Sequence, residues 1–406
     1  MGEPSTVATA SGAPLAGVRV LDLSRLLPGP MCSLYLAQLG ADVVKVEDTG
    51  RGDYARTMGT TGGDAAFFTA VNRGKRSIAL DLKSADGHGA FMRLAARANV
   101  IVEGFRPGVA AALRIDYAAI AALLPRIVYA SISGYGQDGP RAGAAGHDIN
   151  YLGYAGVLDQ TGERDRPPAL ANLQIADLLG GAAVPAIAIV AALYDAARTG
   201  RGRHVDIAMA DAALAHNVFP LQALVETGEV EPRGAGLLTG GIPAYGVYRT
   251  RDDRYVAVGA LEEKFWRVLC ETLARPDLIP LGRARGKEGE HARRELAAIF
   301  ASAPLQHWTE RFAGVDCCVT PVLRLDEAME DAQFLARGAS RRASDGAPMF
   351  GPPFRISECD VAVDRAAPAQ GEHSRALLRE AGYADDVIDA LAARGVIRDG
   401  AAPASD

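Results

Sequence analysis

What this chain lacks narrows it quickly. Its five cysteines, Cys32, Cys270, Cys317, Cys318 and Cys359, are odd in number and show no zinc-site or disulfide spacing. A reducing compartment, and hence a cytoplasmic location, is the expectation; Cys317-Cys318 reads as two packed thiols on a strand. Excess positive charge is missing too, with 43 Lys and Arg against 49 Asp and Glu and a formal net charge of -6. No wide basic field is present to hold nucleic acid or an anionic membrane, so neither is an expected partner. A few local cations still suffice for a small polyanion. The opening MGEPSTVATASGAPL has neither a basic start nor an apolar core, so no secretory leader is visible. The most apolar run, Leu178 to Tyr194, is interrupted by Gly180, Gly181 and Pro185. It reads as a buried helix after a glycine turn rather than a membrane span. Finally, no Walker loop occurs, and Leu27-Pro-Gly-Pro30 stands where a dinucleotide enzyme would carry GxGxxG.

What is present is a folded chain. At 406 residues and 49% apolar content it exceeds one ordinary core, so two domains are expected. Short apolar strands alternate with amphipathic helices over the first 210 residues or so. Gly17 to Leu23, Asp42 to Glu47, Ser77 to Leu82, Asn99 to Glu103, Ile127 to Ser133 and Val205 to Met209 read as strands. Met31 to Leu39 reads as a helix, and Ser84 as the N-cap of another. That alternation implies an α/β fold, a Rossmann-like and mostly parallel sheet with ligands at the carboxyl ends of its strands. Residues 226 to 244 are rich in glycine and proline, and two strand-like runs, Tyr255 to Ala260 and Val319 to Leu323, bracket a helical stretch. The expected division is a large domain over 1–224, completed by 331–406, and a smaller α+β domain over 225–330. In the tail, Glu372 to Ala381 and Asp385 to Ala393 read as helices.

Asn72-Arg-Gly-Lys-Arg76 runs into the third strand, with Lys83 just beyond it. Cations beside a glycine at a strand entrance suit phosphates, although spacing alone favours a solvated basic loop.

The order of several motifs is more specific. Leu27-Pro-Gly-Pro30, Gly40-Ala-Asp-Val-Val-Lys-Val-Glu47, Asn72 to Lys83, Glu103-Gly-Phe-Arg-Pro-Gly108, Gly134-Tyr-Gly-Gln-Asp-Gly-Pro140 and Thr199-Gly-Arg-Gly202 follow one another along nearly the whole chain. In that order they resemble the class III CoA-transferase superfamily. The resemblance implies a CoA-binding large domain, a small domain and two subunits interlocked as a homodimer. Four further stretches resemble its α-methylacyl-CoA racemase branch: Gly146-His-Asp-Ile-Asn-Tyr151, Gly240-Gly-Ile-Pro243, Gly259-Ala-Leu-Glu262 and Asp316 to Leu323. It carries the two racemase bases onto His147 and Asp177 and an assisting carboxylate onto Glu262. Substrate and CoA contacts fall on Arg76, Asp81, Lys83, Arg106, Gly146, Asn150 and Tyr151, with Arg76, Lys83 and Arg106 expected at the CoA phosphates. No separate cofactor is expected, because coenzyme A is part of the acyl-CoA substrate. Two positions depart from the pattern. Asp48 stands where an arginine usually lies near the CoA phosphates, with Arg51 as its expected substitute, and Ala112 lies where some racemases carry a base.

The chemistry fits these residue types. Inverting a 2-methylacyl thioester needs one proton holder on each face of the α-carbon. His147 titrates near neutrality unaided. Asp177 needs its pKa raised, and the apolar run behind it would do so by desolvation. Glu262 would fix the imidazole tautomer, and N–H groups at the helix start beside Asp177 would hold the enolate oxygen. Out of context the same residues read blandly: a surface histidine, a helix N-cap and a solvated helix start. Two rival readings follow. In a CoA-transferase Asp177 would be the nucleophile of an aspartyl-CoA thioester; in a binding protein CoA would be held and nothing turned over.

Overall fold

The computed structural model describes residues 12–59, 65–343, 346–359 and 365–400; the reading of residues 1–11 as no leader lies outside the described residues. Strands form where branched aliphatics cluster: β1 (Arg19–Asp22), β2 (Asp42–Glu47), β3 (Arg76–Leu80), β4 (Val100–Glu103), β5 (Val128–Ser133) and β6 (His204–Ala208). Three pairings follow later in the chain: β7 (Tyr245–Arg249) with β8 (Tyr255–Gly259), β8 with β9 (Val319–Pro321), and β10 (Ser340–Arg342) with β11 (Pro348–Phe350). The last strand, β12 (Ile397–Arg398), closes a seven-stranded sheet of order β12-β3-β2-β1-β4-β5-β6. All its pairs are parallel except β12 on β3. β3, β4 and β5 are buried along their whole length, as helices on both faces require. Phe91 and Leu94, with no exposed surface, come from helix Ala85–Ala95 and join Ile78, Leu80 and Ile101 in the core. Each such side chain contributes about 1.5–3 kcal/mol. Ser84 caps that helix as expected, accepting the Gly87 N–H at 3.0 Å.

The order reverses between β1 and β4, so the two strands send their following loops apart and open a crevice at their carboxyl ends. That crevice holds the site described below.

Two sequence expectations give way here. Gly180 and Gly181 make no turn: Ala176–Ala183 is π-helical and runs straight into the α-helix Val184–Thr199. A Cβ on Gly181 would lie 2.4 Å from Pro28 and 2.8 Å from the Met209 sulfur, so the glycines serve close packing. By length and composition this 24-residue helix could cross a membrane, yet within the fold it packs on helices Pro28–Gln38 and Met209–Ala215 and on β5 and β6. Nor are Cys317 and Cys318 paired on a strand. Cys317 is buried, while Cys318 is exposed at a positive φ of 56° ahead of β9.

The described residues divide into two compact units. One runs to Ala155, resumes over Leu173–His216 and takes in the chain from Ala332; the other comprises Gly156–Asn172 and Asn217–Asp331. The expected border near 225 is therefore displaced, and 156–172 leaves the large domain. Arg233 gives the reason, donating to the carbonyls of Asp159 (2.6 Å) and Arg166 and so tying that loop to the second unit. The second unit builds its own core behind β7-β8-β9, with Trp266, Leu269, Phe300, Trp308 and Phe312 buried.

Candidate active site

A cavity of about 640 Å³ opens where β1 gives way to Ser24–Gly29, β4 to Gly104–Pro107 and β5 to Ser133–Gly134. Six of the expected residues meet there: Arg106, Gly146, His147, Asn150, Tyr151 and Asp177.

The helix Asp148–Tyr154 organises them. His147 is its N-cap, and its N–H donates to the Asn150 side chain at 3.0 Å. Asn150 is thereby a capping residue that aims His147. The Tyr151 hydroxyl donates to the Gly146 carbonyl at 2.6 Å, locking the residue ahead of His147. A Cβ on Gly146 would fall 2.7 Å from that ring, so the loop tolerates no side chain there. From the first turn, the Asp148 carboxylate accepts the Asp177 N–H at 3.1 Å. One short helix therefore registers both candidate bases. The N–H groups beside Asp177 are taken: its own by Asp148, and that of Leu178 by the Gln174 carbonyl at 2.9 Å. Neither of these two is left for an enolate oxygen.

Asp177 lies in the first turn of the π-helical segment, half-buried and facing the cavity with His147. Burial, then repulsion from Asp148, raises its pKa to about 6, with His147 pulling the other way. The Tyr151 phenol is pushed up to about 12, by burial first and then by Asp177.

Other expected contacts are placed elsewhere. Arg76 is buried in an ion-pair cluster, its guanidinium 2.9 Å from Asp42 and 2.6 Å from Glu380, on the amino-terminal side of the sheet. Lys75 is buried as well, with Asp22, Asn72 and the Pro30 carbonyl as its three acceptors. The stretch Asn72–Arg76 is thus neither a solvated loop nor a phosphate seat. Asp81 accepts the Lys83 N–H at 3.1 Å in a turn after β3, and Lys83 itself is exposed. Arg51 is exposed and outside the cavity lining. Glu262 stands at the N-cap position of helix Glu263–Thr272 in the second unit, with an exposed side chain that makes no capping hydrogen bond. Arg25 and Tyr54, which carry no motif, do line the cavity. Only their contacts, described below, reveal them. Among the described residues, no group of His, Cys, Asp and Glu is arranged to hold a metal ion.

The chain has counterparts among known proteins. The profile of CoA-transferase family III matches residues 15–374, and the chain belongs to that family of enzymes. It is 35% identical to mouse (Mus musculus) alpha-methylacyl-CoA racemase, covering 92% of this chain and 95% of that protein. It is 32% identical to mouse succinyl-CoA:glutarate CoA-transferase, over 95% of this chain and 90% of that one. A CAIB/BAIF family protein from Brucella suis superposes with a TM-score of 0.80 at 31% identity, over 91% of this chain and 99% of that chain.

Proposed function

We propose that the chain is a racemase of 2-methyl-branched acyl-CoA thioesters working by two-base proton transfer. One observation carries the reading: Asp177 shares a cavity with His147 and is held near pKa 6, where a carboxyl can both take and return a proton. His147 is the second proton holder in that cavity. For one epimer, ionised Asp177 takes the α-proton, and the C–H electron pair moves into the thioester to give an enolate. Protonated His147 then returns a proton to the opposite face. For the other epimer the roles exchange. Arg106, exposed on the Gly104–Pro107 loop, is suited to the CoA phosphates. Glu262 is proposed as the acid that orients the imidazole, and coenzyme A as a part of the substrate, with no added cofactor.

A transferase reading draws on the 32% identity to the mouse CoA-transferase. It asks Asp177 to attack a thioester, and leaves His147 without work. The test is to incubate a single epimer of a 2-methylacyl-CoA in deuterated water, following mass and chirality. Racemisation with α-deuterium uptake is expected. Hydroxylamine trapping of an aspartyl thioester at Asp177, with no deuterium uptake, would sink the proposal.

We also propose an interlocked homodimer in the cytoplasm. Helix Val218–Thr227 buries none of its residues, and Phe219, Leu221 and Val225 are 56%, 59% and 76% exposed, a surface that asks for cover. Sedimentation should show two chains of 42.5 kDa each in one particle, and no active monomer.

A further inference from the structure

Arg25 combines exposure with an unusually fixed backbone. The N–H of Ser24, just before it, donates to the Asp22 carboxylate at 3.0 Å, and the Ser24 carbonyl accepts from Lys45 Nζ at 3.0 Å. Just after it, Leu26 adopts a positive φ of 64° and donates its N–H to Asp53 at 3.0 Å. Lys45 and Asp53 are themselves a fully buried pair at 2.7 Å. The peptide bonds on both sides of Arg25 are therefore anchored to buried charges, and a left-handed leucine is held in place between them.

The side chain is equally directed. Its guanidinium lies 5.2 Å from the Tyr54 ring centroid and donates to the Tyr54 hydroxyl at 3.1 Å. It also reaches the Asp48 carboxylate at 3.2 Å, through one oxygen only. The other Asp48 oxygen accepts the N–H groups of Gly50 (2.9 Å) and Gly52 (3.3 Å), so the carboxylate is fixed by its own loop. Both partners of the pair are part-exposed, 33% and 43%, at the edge of the cavity that Arg25 and Tyr54 line.

We infer that Arg25 is the phosphate-binding cation at this edge and that Asp48 occupies its charge when no substrate is bound. The inference rests on the acyl-CoA reading above. A monodentate pair open to water is weak. A phosphate offers the same guanidinium a bidentate, doubly charged partner, and Asp48 yields to it. The consequence is specificity: Asp48 charges every ligand for its displacement, so thioesters lacking phosphates gain nothing from Arg25.

The readout is a ratio: KM for an acyl-CoA over KM for the matching acyl-pantetheine, which lacks the phosphates. Calorimetry with free CoA on the intact protein gives a second, non-catalytic reading. Arg25→Met keeps the stem over Tyr54 and should raise the ratio and the Kd for CoA roughly tenfold. Asp48→Asn keeps an oxygen for Gly50 and Gly52, and should lower both a few-fold. The double variant R25M/D48R puts a cation back beside the site and should recover most of the loss. Unaltered CoA affinity in Arg25→Met overturns the inference, as does an equal loss toward CoA and pantetheine. Binding needs no turnover, so these results stand apart from the deuterium test. If the wild type bound no CoA at all, both readings would fall together.

Discussion

Asp22 and Asp177 belong to the same unit and flank the same crevice, yet their environments drive them in opposite directions. Burial alone would raise Asp22, but Lys75 at 3.1 Å, Lys45 and the hydroxyls of Ser24 and Ser33 overcome it and hold the pKa near 2. Asp177 is buried less deeply and yet ends near 6, because burial raises it, Asp148 of the same sign adds to that, and His147 offsets only part. Lys75 shows the other side of the first arrangement: burial pulls it down, Asp22 pulls it up, and it settles at about 8. Under β1–β3 every charge is answered, and the result is a fixed platform for the Ser24–Leu26 loop. In the first turn of Ala176–Ala183 a carboxylate is left expensive to ionise, which suits the base proposed for it. Depth of burial does not separate the two roles; the sign of the neighbours does.

The largest effects should come from the unanswered side. Asp177→Asn and His147→Ala should each slow racemisation roughly 10²–10⁴-fold. Each should spare deuterium exchange into one epimer only, and the spared epimers should differ. Exchange lost equally from both epimers in both variants would mean that the two groups do not face opposite sides of the α-carbon.

Stability should move the other way around. Asp22→Asn strands the buried Lys75 ammonium, while Lys45 keeps Asp53, and should cost about 3–5 kcal/mol in denaturant titrations at neutral pH. Because its folded pKa is depressed, that contribution is present above about pH 4 and is lost as pH falls through about 2, so the gap to wild type should narrow over that window. Asp177 has a raised pKa, and its folded form resists ionisation that the unfolded chain accepts near 3.8. Wild-type stability should therefore fall as pH rises from about 4 to 6, and Asp177→Asn should be more stable than wild type above pH 6, on the order of 1–2 kcal/mol. A destabilised Asp177→Asn would break the comparison.

A smaller effect isolates the like charge. For the epimer that Asp177 deprotonates, kcat/KM should decline as pH drops through about 6. In Asp148→Asn the limb should shift to lower pH, since repulsion is relieved while an oxygen remains for the Asp177 N–H. A limb that stays in place would assign the raised pKa to burial alone.

Much of this division was readable in the residues themselves. Val and Ile runs gave six parallel strands close to their observed bounds, and Ser84 gave its cap. The ordered motifs placed His147, Asp177, Arg106, Gly146, Asn150 and Tyr151 in one cavity. What failed to show were partners distant in sequence. Arg76 looks like a phosphate ligand until Glu380, 304 positions away, takes its guanidinium. Arg25 looks ordinary until Asp22, Lys45 and Asp53 are seen to clamp its flanks. Gly180-Gly181 spells a turn, and only the approach of Pro28 and Met209 explains glycine inside a helix. Local pattern reports propensity and spacing; whether a charge is answered depends on contacts that close through the fold.

The smallest expected effect compares one kind of bond in the two regions. Tyr129 and Tyr151 each donate a phenolic hydrogen bond to a backbone carbonyl, of Ile115 at 2.8 Å and of Gly146 at 2.6 Å. Tyr129 is buried in the sheet core on β5, and Tyr151 stands at the cavity wall. Replacing either by Phe removes a single hydroxyl and leaves an acceptor behind, at about 1–3 kcal/mol for a buried carbonyl and less for one that water can reach. Tyr129→Phe should therefore lower the melting temperature measurably and leave racemisation alone. Tyr151→Phe should lower it less, because the Gly146 carbonyl is only part-buried. Its mark should instead be kinetic. With residue 146 released, His147 keeps its Asn150 cap but loses the anchor on its other side, so the His147-dependent epimer should exchange several-fold more slowly. The Asp177-dependent epimer, whose base is held through Asp148, should be spared. Equal slowing of both epimers would show that Tyr151 serves the cavity as a whole and not the aim of His147.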